Sequence, residues 1–237
     1  MTSDPGRNLH YVAKKRRVRE DKRFVTGNGK YVQDIVLPDT RHAAVLPSPY
    51  PRARILSIDT AAAEALDGVH MVLTGAQLAA DCNPIRLGLK LPGIKWYPLA
   101  VDMTRYAGEW VAIVVADDAY IAEDALDLIE VDYEPLDAVV DPEVAFAETE
   151  RFVHPDHGSN VLYHGNFVWG GVDEDFAAAD ERLDLRVRWG RSATVPIETF
   201  GVLAQWNEGT EILDIWASIQ MPNFVELMAS TLGYPLN

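Results

Sequence analysis

The sequence has little cysteine: Cys82 is the only one among 237 residues. A disulfide within the chain needs two cysteines, and a zinc or iron–sulfur site built only from cysteines needs about four. Both kinds of site are therefore excluded within this chain. A single cysteine is typical of a reducing compartment, and we predict a cytoplasmic protein.

Long apolar runs and positive charge are also scarce. No apolar run approaches the roughly 20 residues that a membrane-spanning helix needs, and the N-terminus lacks the apolar segment of a secretory signal. Lysine and arginine number 21 against 36 aspartates and glutamates, which gives a net charge of −15. Because nucleic acids and anionic membranes are bound mainly through Lys and Arg, we predict neither as a partner.

The one basic cluster lies between Lys14 and Arg23. We predict a flexible basic lead over residues 1–17 that docks on an acidic surface of this chain or of a partner. A nucleic-acid or targeting segment is the alternative. After the turn at Gly27–Gly29, the sequence predicts a strand at Tyr31 and Val32.

The most regular stretch follows Tyr106. Residues 110–116 form an apolar, β-branched run that predicts a buried strand. Asp117 or Asp118 can cap the following helix, in which Ile121, Ala125 and Leu128 form one apolar stripe. Residues 129–134 alternate between apolar and acidic side chains and predict a second strand, which we expect to lie parallel to the first.

The C-terminal third contains a second set of patterns. Residues 146–160 lose periodicity and predict a linker between two domains. Beyond it the sequence predicts a helix at 172–179, a strand at 182–189, a hairpin over 201–217 and a helix that Gly233 ends. Residues 82–98 predict a long loop, either a surface loop or a functional lid.

Composition and spacing offer no independent catalytic motif. His154, Asp156, His157 and His164 raise the question of a metal site, but no rigid turn fixes them and we predict none. Glu198 is either a carboxylate of a site or a member of a structural salt bridge. Gln220 is either an amide donor near a site or a hydrogen-bonded core residue.

Five blocks of this sequence resemble the molybdenum-binding subunit of the xanthine dehydrogenase, aldehyde oxidase and carbon monoxide dehydrogenase family. The family's hammerhead domain has a Gly-Glu-x-Val-Ala strand, an Ala-rich helix and a Val-Asp-Tyr-Glu-Pro-Leu ending. The matching residues here are Gly108 to Ala112, Ala119 to Ala125 and Val131 to Leu136. The segments from Arg17 to Ile35 and from Ser218 to Pro222 are similar to further family blocks.

The resemblance implies a mixed α/β (α+β) fold with two domains. Residues 18–145 would form an a/b hammerhead domain, residues 146–160 a linker, and residues 161–237 the start of a molybdenum-cofactor-binding domain. The implied reaction is hydroxylation of an aldehyde or N-heterocycle with water as the oxygen donor. A carbon monoxide dehydrogenase-type enzyme and a non-catalytic scaffold are the alternatives, and a truncated product is a third.

The resemblance also implies where the chemistry resides. The sequence contains neither the family's Gly-rich loop beside the cofactor nor its glutamate base, so we predict no catalytic residue and no metal ligand in this chain. We expect a split subunit whose partner chain binds most of a molybdopterin, in its cytosine dinucleotide form, with molybdenum. Ser192, Glu198 and Gln220 are the candidates for lining the site. An iron–sulfur subunit with 2Fe–2S clusters and an FAD subunit are the further expected partners.

Overall fold

The computed structural model describes residues 18–19, 21–86, 91 and 93–236. The predicted basic lead, residues 1–17, lies outside the described residues, as do residues 87–90 and 92 of the predicted loop. The described α-helices are α1 Asp21–Val25, α2 Ala61–Glu64, α3 Gly75–Asp81, α4 Ala119–Leu126, α5 Pro142–Ala147, α6 Val172–Ala178 and α7 Phe224–Leu232. The described strands are β1 His42–Pro47, β2 Ala53–Asp59, β3 Val69–Thr74, β4 Met103–Thr104, β5 Trp110–Ala116, β6 Glu130–Pro135, β7 Val202–Asn207 and β8 Ile212–Ala217.

The chain divides into two compact units. The larger unit contains Pro38–Ser192 and Met221–Asn237, and the smaller contains Met1–Leu37 and Ala193–Gln220. The described residues form both helices and strands, which confirms the predicted mixed α/β fold. All the described strand pairs are antiparallel, as in the α+β class. The domain boundaries expected from the sequence stay a prediction.

Strand β5 lies at the centre of the first sheet of the larger unit, in the order β1-β5-β3. Its residues Val111, Ala112, Val114 and Ala116 are fully buried. A β-branched apolar run suits this position because both backbone edges are paired and the side chains pack on both faces. The predicted buried strand is confirmed.

The second sheet of the larger unit has the order β4-β2-β6. Strand β6 pairs with β2, with Ile55 opposite Tyr133 and Ile58 opposite Val131. The predicted parallel pairing of the two strands that flank α4 is therefore wrong. Strand β5 already has neighbours on both edges, so β6 cannot pair with it directly.

Helix α4 covers the first sheet and completes the core. The carboxylate of Asp118 accepts a hydrogen bond of 2.9 Å from the backbone N–H of Ile121, which confirms Asp118 as the N-terminal cap. Ala122 and Ala125 are fully buried, and such small side chains let the helix approach closely. The buried core cluster consists of Ala63, Val72, Ala112, Val114, Ala125 and Ile129.

The C-terminal helix ends as the sequence predicts. Gly233 has φ of 76°, the left-handed conformation that favours glycine at the end of a helix. Asn83, in the same unit, holds the last turn of this helix, because its backbone N–H donates to Thr231 O at 2.7 Å and its side chain donates to Ser230 O at 3.1 Å. Helix α6 confirms the helix predicted at 172–179.

The smaller unit contains the predicted hairpin of β7 and β8. The side chain of Asn207 accepts hydrogen bonds from Gly209 N at 3.0 Å and Thr210 N at 3.1 Å, which fixes the turn. The predicted strand at Tyr31 and Val32 is wrong, since Val32–Asp34 forms a 3₁₀ helix. The Asp34 carboxylate accepts from Tyr31 N at 2.8 Å and closes this tight turn.

The predicted strand at residues 182–189 is also not formed. These residues have no regular secondary structure, and no other strand of the described chain pairs with them. A strand needs a neighbour to complete its backbone hydrogen bonds, which is why an alternating sequence alone does not produce one.

We expect Val114→Ala to destabilise the protein by about 2 kcal/mol, because it removes two methyl groups from the fully buried centre of β5. Val140 is 82% exposed, and Val140→Ala makes the same chemical change with an expected effect below about 0.5 kcal/mol. Urea unfolding followed by circular dichroism measures both. Equal effects for the two variants would contradict the assignment of β5 as the core strand.

Candidate functional site

Within the described residues, Glu198 has a defined contact to a distant segment. Its Oε1 accepts a hydrogen bond from the backbone N–H of Val32 at 3.1 Å, and the side chain is half-buried. That N–H belongs to the first residue of the 3₁₀ helix, where a backbone donor has no partner within the helix. The partner is an amide, so this contact is a hydrogen bond and differs from the salt bridge considered from the sequence.

Ser218 connects the segment of Glu198 with that of Gln220. Its Oγ accepts from Gly201 N at 2.8 Å and donates to Thr199 O at 3.2 Å, while its backbone N–H donates to Gly201 O at 3.0 Å. These bonds extend the hairpin pairing beyond the ends of β7 and β8. The structure therefore brings the segments of Glu198 and Gln220 to the same end of the hairpin.

The other two predicted site residues are exposed. Gln220 is exposed in the smaller unit, so it does not occupy the core position considered from the sequence. Ser192 is exposed in the larger unit, at the end of a segment without regular structure. That all three residues line a common site stays a prediction.

In the described structure, the histidines that raised the question of a metal do not belong to a cluster of metal-ligating side chains. In the part of the chain that the structure describes, no three His, Cys, Asp or Glu side chains converge on one point. His157 Nε2 donates to Val161 O at 3.2 Å, and His164 is exposed.

Asn160 holds the segment that contains these histidines. Its side chain accepts from Val153 N at 2.9 Å and donates to Ala145 O at 3.2 Å and Arg151 O at 3.0 Å. The predicted linker at 146–160 is thus fastened by hydrogen bonds to a single amide side chain.

A polar cleft of about 300 Å³ in the larger unit was not predicted from the sequence. Its lining includes Trp96, Arg105, Glu109 and His154. Glu109 is only 5% exposed, and its Oε2 accepts a hydrogen bond of 2.5 Å from Arg105 N. The Arg105 Nη1 donates to Met103 O at 3.0 Å. The Nε of Arg105 is buried and has no hydrogen-bond partner in the described structure.

The surroundings of Glu109 and His154 in the cleft favour the neutral form of each side chain. Burial raises the pKa of the Glu109 carboxyl, against the opposing effect of the Arg105 hydrogen bond and charge. Burial also lowers the pKa of the His154 imidazole, and the positive charge of Arg105 adds to this effect. A carboxyl group and an imidazole beside one guanidinium can hydrogen-bond a polar group.

The one sequence signal for this cleft is Glu109 itself, a carboxylate placed directly before the apolar run of β5. A charged residue at the start of a buried strand is itself prone to burial. Arg105 is only four residues before Glu109, whereas His154 comes from a segment far away in the sequence and could be recognised only in the folded structure.

None of the helices in the described ranges is both long and apolar enough to cross a membrane.

Two family models match this chain. The model described as "Aldehyde oxidase and xanthine dehydrogenase, a/b hammerhead domain" matches residues 26–137. The model described as "Molybdopterin cofactor-binding domain" matches residues 153–237. These matches confirm both domain types that the resemblance implied.

Relatives and solved structures agree with these matches. The nicotine 6-hydroxylase large subunit of Paenarthrobacter nicotinovorans is 36% identical over 219 residues, which are 91% of this chain and 27% of the relative. The carbon monoxide dehydrogenase large chain of Afipia carboxidovorans is 33% identical over 247 residues, 98% of this chain and 30% of the relative.

The crystal structure of quinoline 2-oxidoreductase from Pseudomonas putida 86 superimposes with a TM-score of 0.82 and 38% identity, covering 92% of this chain and 28% of that one. This chain therefore spans less than a third of the length of each of the three proteins.

We expect Glu109→Gln to raise the melting temperature at neutral pH. Burial destabilises the ionised carboxylate in the native state, which raises its pKa above the ordinary value of 4.5. Glutamine removes the charge, and its side-chain oxygen can still accept a hydrogen bond from Arg105 N. The gain should be complete above the native pKa, should shrink as the pH falls, and should vanish below about pH 4.

Glu123→Gln on the exposed side of α4 is the matched control, with no expected change across this range. Differential scanning calorimetry between about pH 4 and 8 measures both variants. A Glu109→Gln variant that is less stable than the parent at neutral pH would show that the contacts of the charged form outweigh its burial.

Proposed function

Because the chain belongs to the aldehyde oxidase and xanthine dehydrogenase family, we propose that it forms part of the molybdenum-binding component of a multi-subunit molybdenum hydroxylase. The observation that carries this proposal is the consecutive match of a hammerhead domain and a molybdopterin cofactor-binding domain. The 38% identity and TM-score of 0.82 against quinoline 2-oxidoreductase support the same assignment.

The cofactor would be a molybdopterin with molybdenum, expected in its cytosine dinucleotide form. The match to a molybdopterin cofactor-binding domain over residues 153–237 supports this choice. The hydroxyl of Ser192, the carboxylate of Glu198 and the amide of Gln220 suit hydrogen bonds to a polar pterin. When bound, the cofactor supplies the oxidation chemistry, and these side chains would help to hold and orient it.

We expect an N-heterocycle or an aldehyde as the substrate. Nicotine and quinoline, the compounds in the names of two relatives, are both N-heteroaromatic, and those relatives are 36% and 38% identical to this chain. Carbon monoxide is the second candidate, and it is favoured by the 33% identity to a carbon monoxide dehydrogenase large chain.

The expected assembly follows from the same relatives, which are named as a large subunit and a large chain. We propose an iron–sulfur subunit and an FAD subunit as partners, together with a second molybdenum-binding chain that carries the glutamate base and most cofactor contacts. A net charge of −15 does not favour nucleic acid as a further partner. The cytoplasm is the proposed location.

Native mass spectrometry with metal analysis, on the protein isolated from its own cells, tests this proposal. We expect a complex of several distinct polypeptides that contains molybdenum and iron. Incubation with quinoline, nicotine, an aromatic aldehyde or carbon monoxide, together with an electron-accepting dye, in ¹⁸O-labelled water should reduce the dye and convert one of these compounds into an oxygenated product that carries the label. A lone polypeptide without either metal would favour a non-catalytic scaffold, and a single chain carrying every family segment would refute the split subunit.

The role of Glu198 is tested by two substitutions in the assembled enzyme. Glu198→Gln keeps an oxygen that can accept from Val32 N but removes the charge. If the carboxylate helps to position the cofactor, we expect molybdenum content or turnover to fall about tenfold while the melting temperature stays unchanged. Glu198→Ala also removes the hydrogen bond and should lower the melting temperature.

Glu208→Gln, in the turn between β7 and β8, is the control and should leave both properties unchanged. If Glu198→Gln retains full molybdenum and turnover, while Glu198→Ala is unstable, the residue serves only to hold the 3₁₀ helix.

A further inference from the structure

Asn28 is followed directly by Gly29 in a turn of the smaller unit. It is the only asparagine in the sequence that precedes a glycine. Both residues are exposed to solvent. Because glycine has no Cβ, its backbone nitrogen can approach the preceding side chain more closely than that of any other residue. The pair therefore differs chemically from every other asparagine of this chain.

The backbone before Asn28 is fixed by the end of helix α1. Gly27 N donates to Phe24 O at 3.2 Å, and Asn28 N donates to Arg23 O at 2.8 Å. Gly27 has φ of 72°, so these two bonds form the Schellman arrangement that often ends a helix. The Asn28 backbone is thus held on its N-terminal side.

The backbone after Asn28 carries fewer restraints. Within the described residues, Gly29 N has no hydrogen-bond partner, and residues 28–31 have no regular secondary structure. An exposed amide that donates to no protein acceptor can lose its proton to solvent and can rotate toward a neighbouring side chain. Gly29 N is therefore available to react with the carboxamide of Asn28.

We propose that Asn28 is a site of spontaneous deamidation. Gly29 N forms a bond to Asn28 Cγ while the Cγ–Nδ2 bond breaks, and the side-chain nitrogen leaves as ammonia with the proton of Gly29 N. The product is a five-membered succinimide ring. Water then adds to either ring carbonyl and opens the ring to aspartate or isoaspartate. One water is consumed and one ammonia is released, without oxidation or reduction.

The reaction removes two hydrogen bonds that close the turn. Asn28 Nδ2 donates to Thr26 O at 3.3 Å and to Thr26 Oγ1 at 2.9 Å. Both bonds are exposed and compete with water, so they add little net stability against the reaction. The carboxylate of either product has no proton to donate, so neither bond can form again.

The modification also changes the charge of a basic surface. Asn28 lines an open depression together with three cationic side chains, Arg19, Lys22 and Arg23. Either product adds one negative charge there. Isoaspartate also inserts one carbon into the main chain, ahead of the 3₁₀ helix whose Val32 N donates to Glu198. The reaction needs neither a cofactor nor a partner chain, so it is independent of the proposed function.

Peptide mapping by mass spectrometry, on the protein isolated from its own cells and stored at physiological temperature, measures the reaction. Asn166 is the internal control, because it is also exposed but precedes the bulky Phe167. We expect the Asn28 peptide to convert at least about tenfold faster than the Asn166 peptide, since glycine lacks the side chain that hinders attack. Equal rates, or faster conversion at Asn166, would overturn the inference.

The identity of the product tests the route. Attack by Gly29 N gives a mixture that contains isoaspartate, whereas direct hydrolysis of the side-chain amide gives aspartate alone. Labelling with a protein isoaspartate methyltransferase detects the first product. We expect isoaspartate at position 28, formed faster in mildly alkaline than in mildly acidic buffer because Gly29 N must lose its proton. Aspartate alone would overturn the inference.

Two substitutions should move the reaction in opposite directions. Gly29→Ala should slow conversion of Asn28 at least about tenfold. The added Cβ would lie 2.8 Å from Phe24 Cδ1, but that ring is 53% exposed and can turn away. Phe167→Gly removes a side chain that is 96% exposed, and it should accelerate conversion of Asn166 at least about tenfold. Unchanged rates in these variants would overturn the inference.

Discussion

The fold of the larger unit depends on the double-sided pairing of β5. Strands β1 and β3 occupy its two backbone edges, and the alanine face of α4 closes the core around Ala112 and Val114. With every edge of β5 occupied, the strand that follows α4 has to pair elsewhere, and it joins β2 in a second sheet. The occupied edges of β5 thus explain why the two strands that flank α4 do not pair with each other.

The sequence predicted those elements whose causes are local. Strand β5, the Asp118 cap, the Asn207 turn and the Gly233 end each follow from a few neighbouring residues, and each is present. The wrong predictions concern elements that depend on contacts which the apolar–polar pattern does not record. The sheet of β6 is decided by β2, about seventy residues away in sequence. The 3₁₀ helix at 32–34 is closed by the hydrogen bond from Tyr31 N to the Asp34 carboxylate, and the apolar–polar pattern of the sequence does not predict this bond.

The candidate site was predictable to a smaller extent. Ser192, Glu198 and Gln220 were selected by family resemblance, since neither spacing nor composition distinguishes them. The contact between Glu198 and Val32 joins residues 166 positions apart, so only the folded chain reveals it. The cleft around Glu109 could not be predicted either, because Arg105 and His154 come together beside it only when the loops pack. The effect of Arg105 on the pKa of His154 depends on the same packing.

The two halves of the chain differ in how far they satisfy their own apolar side chains. The hammerhead region buries a compact core, whereas Phe167, Trp169 and Trp189 are each at least 88% exposed. Burial of one such side chain contributes about 1.5–3 kcal/mol, so covering all three would contribute an amount comparable to the net stability of a small domain. The cofactor-binding region would therefore gain stability from a protein surface that covered these aromatics. If such a surface belongs to the proposed assembly and the same region holds the proposed cofactor, assembly and cofactor binding would be linked equilibria, each stabilising the other.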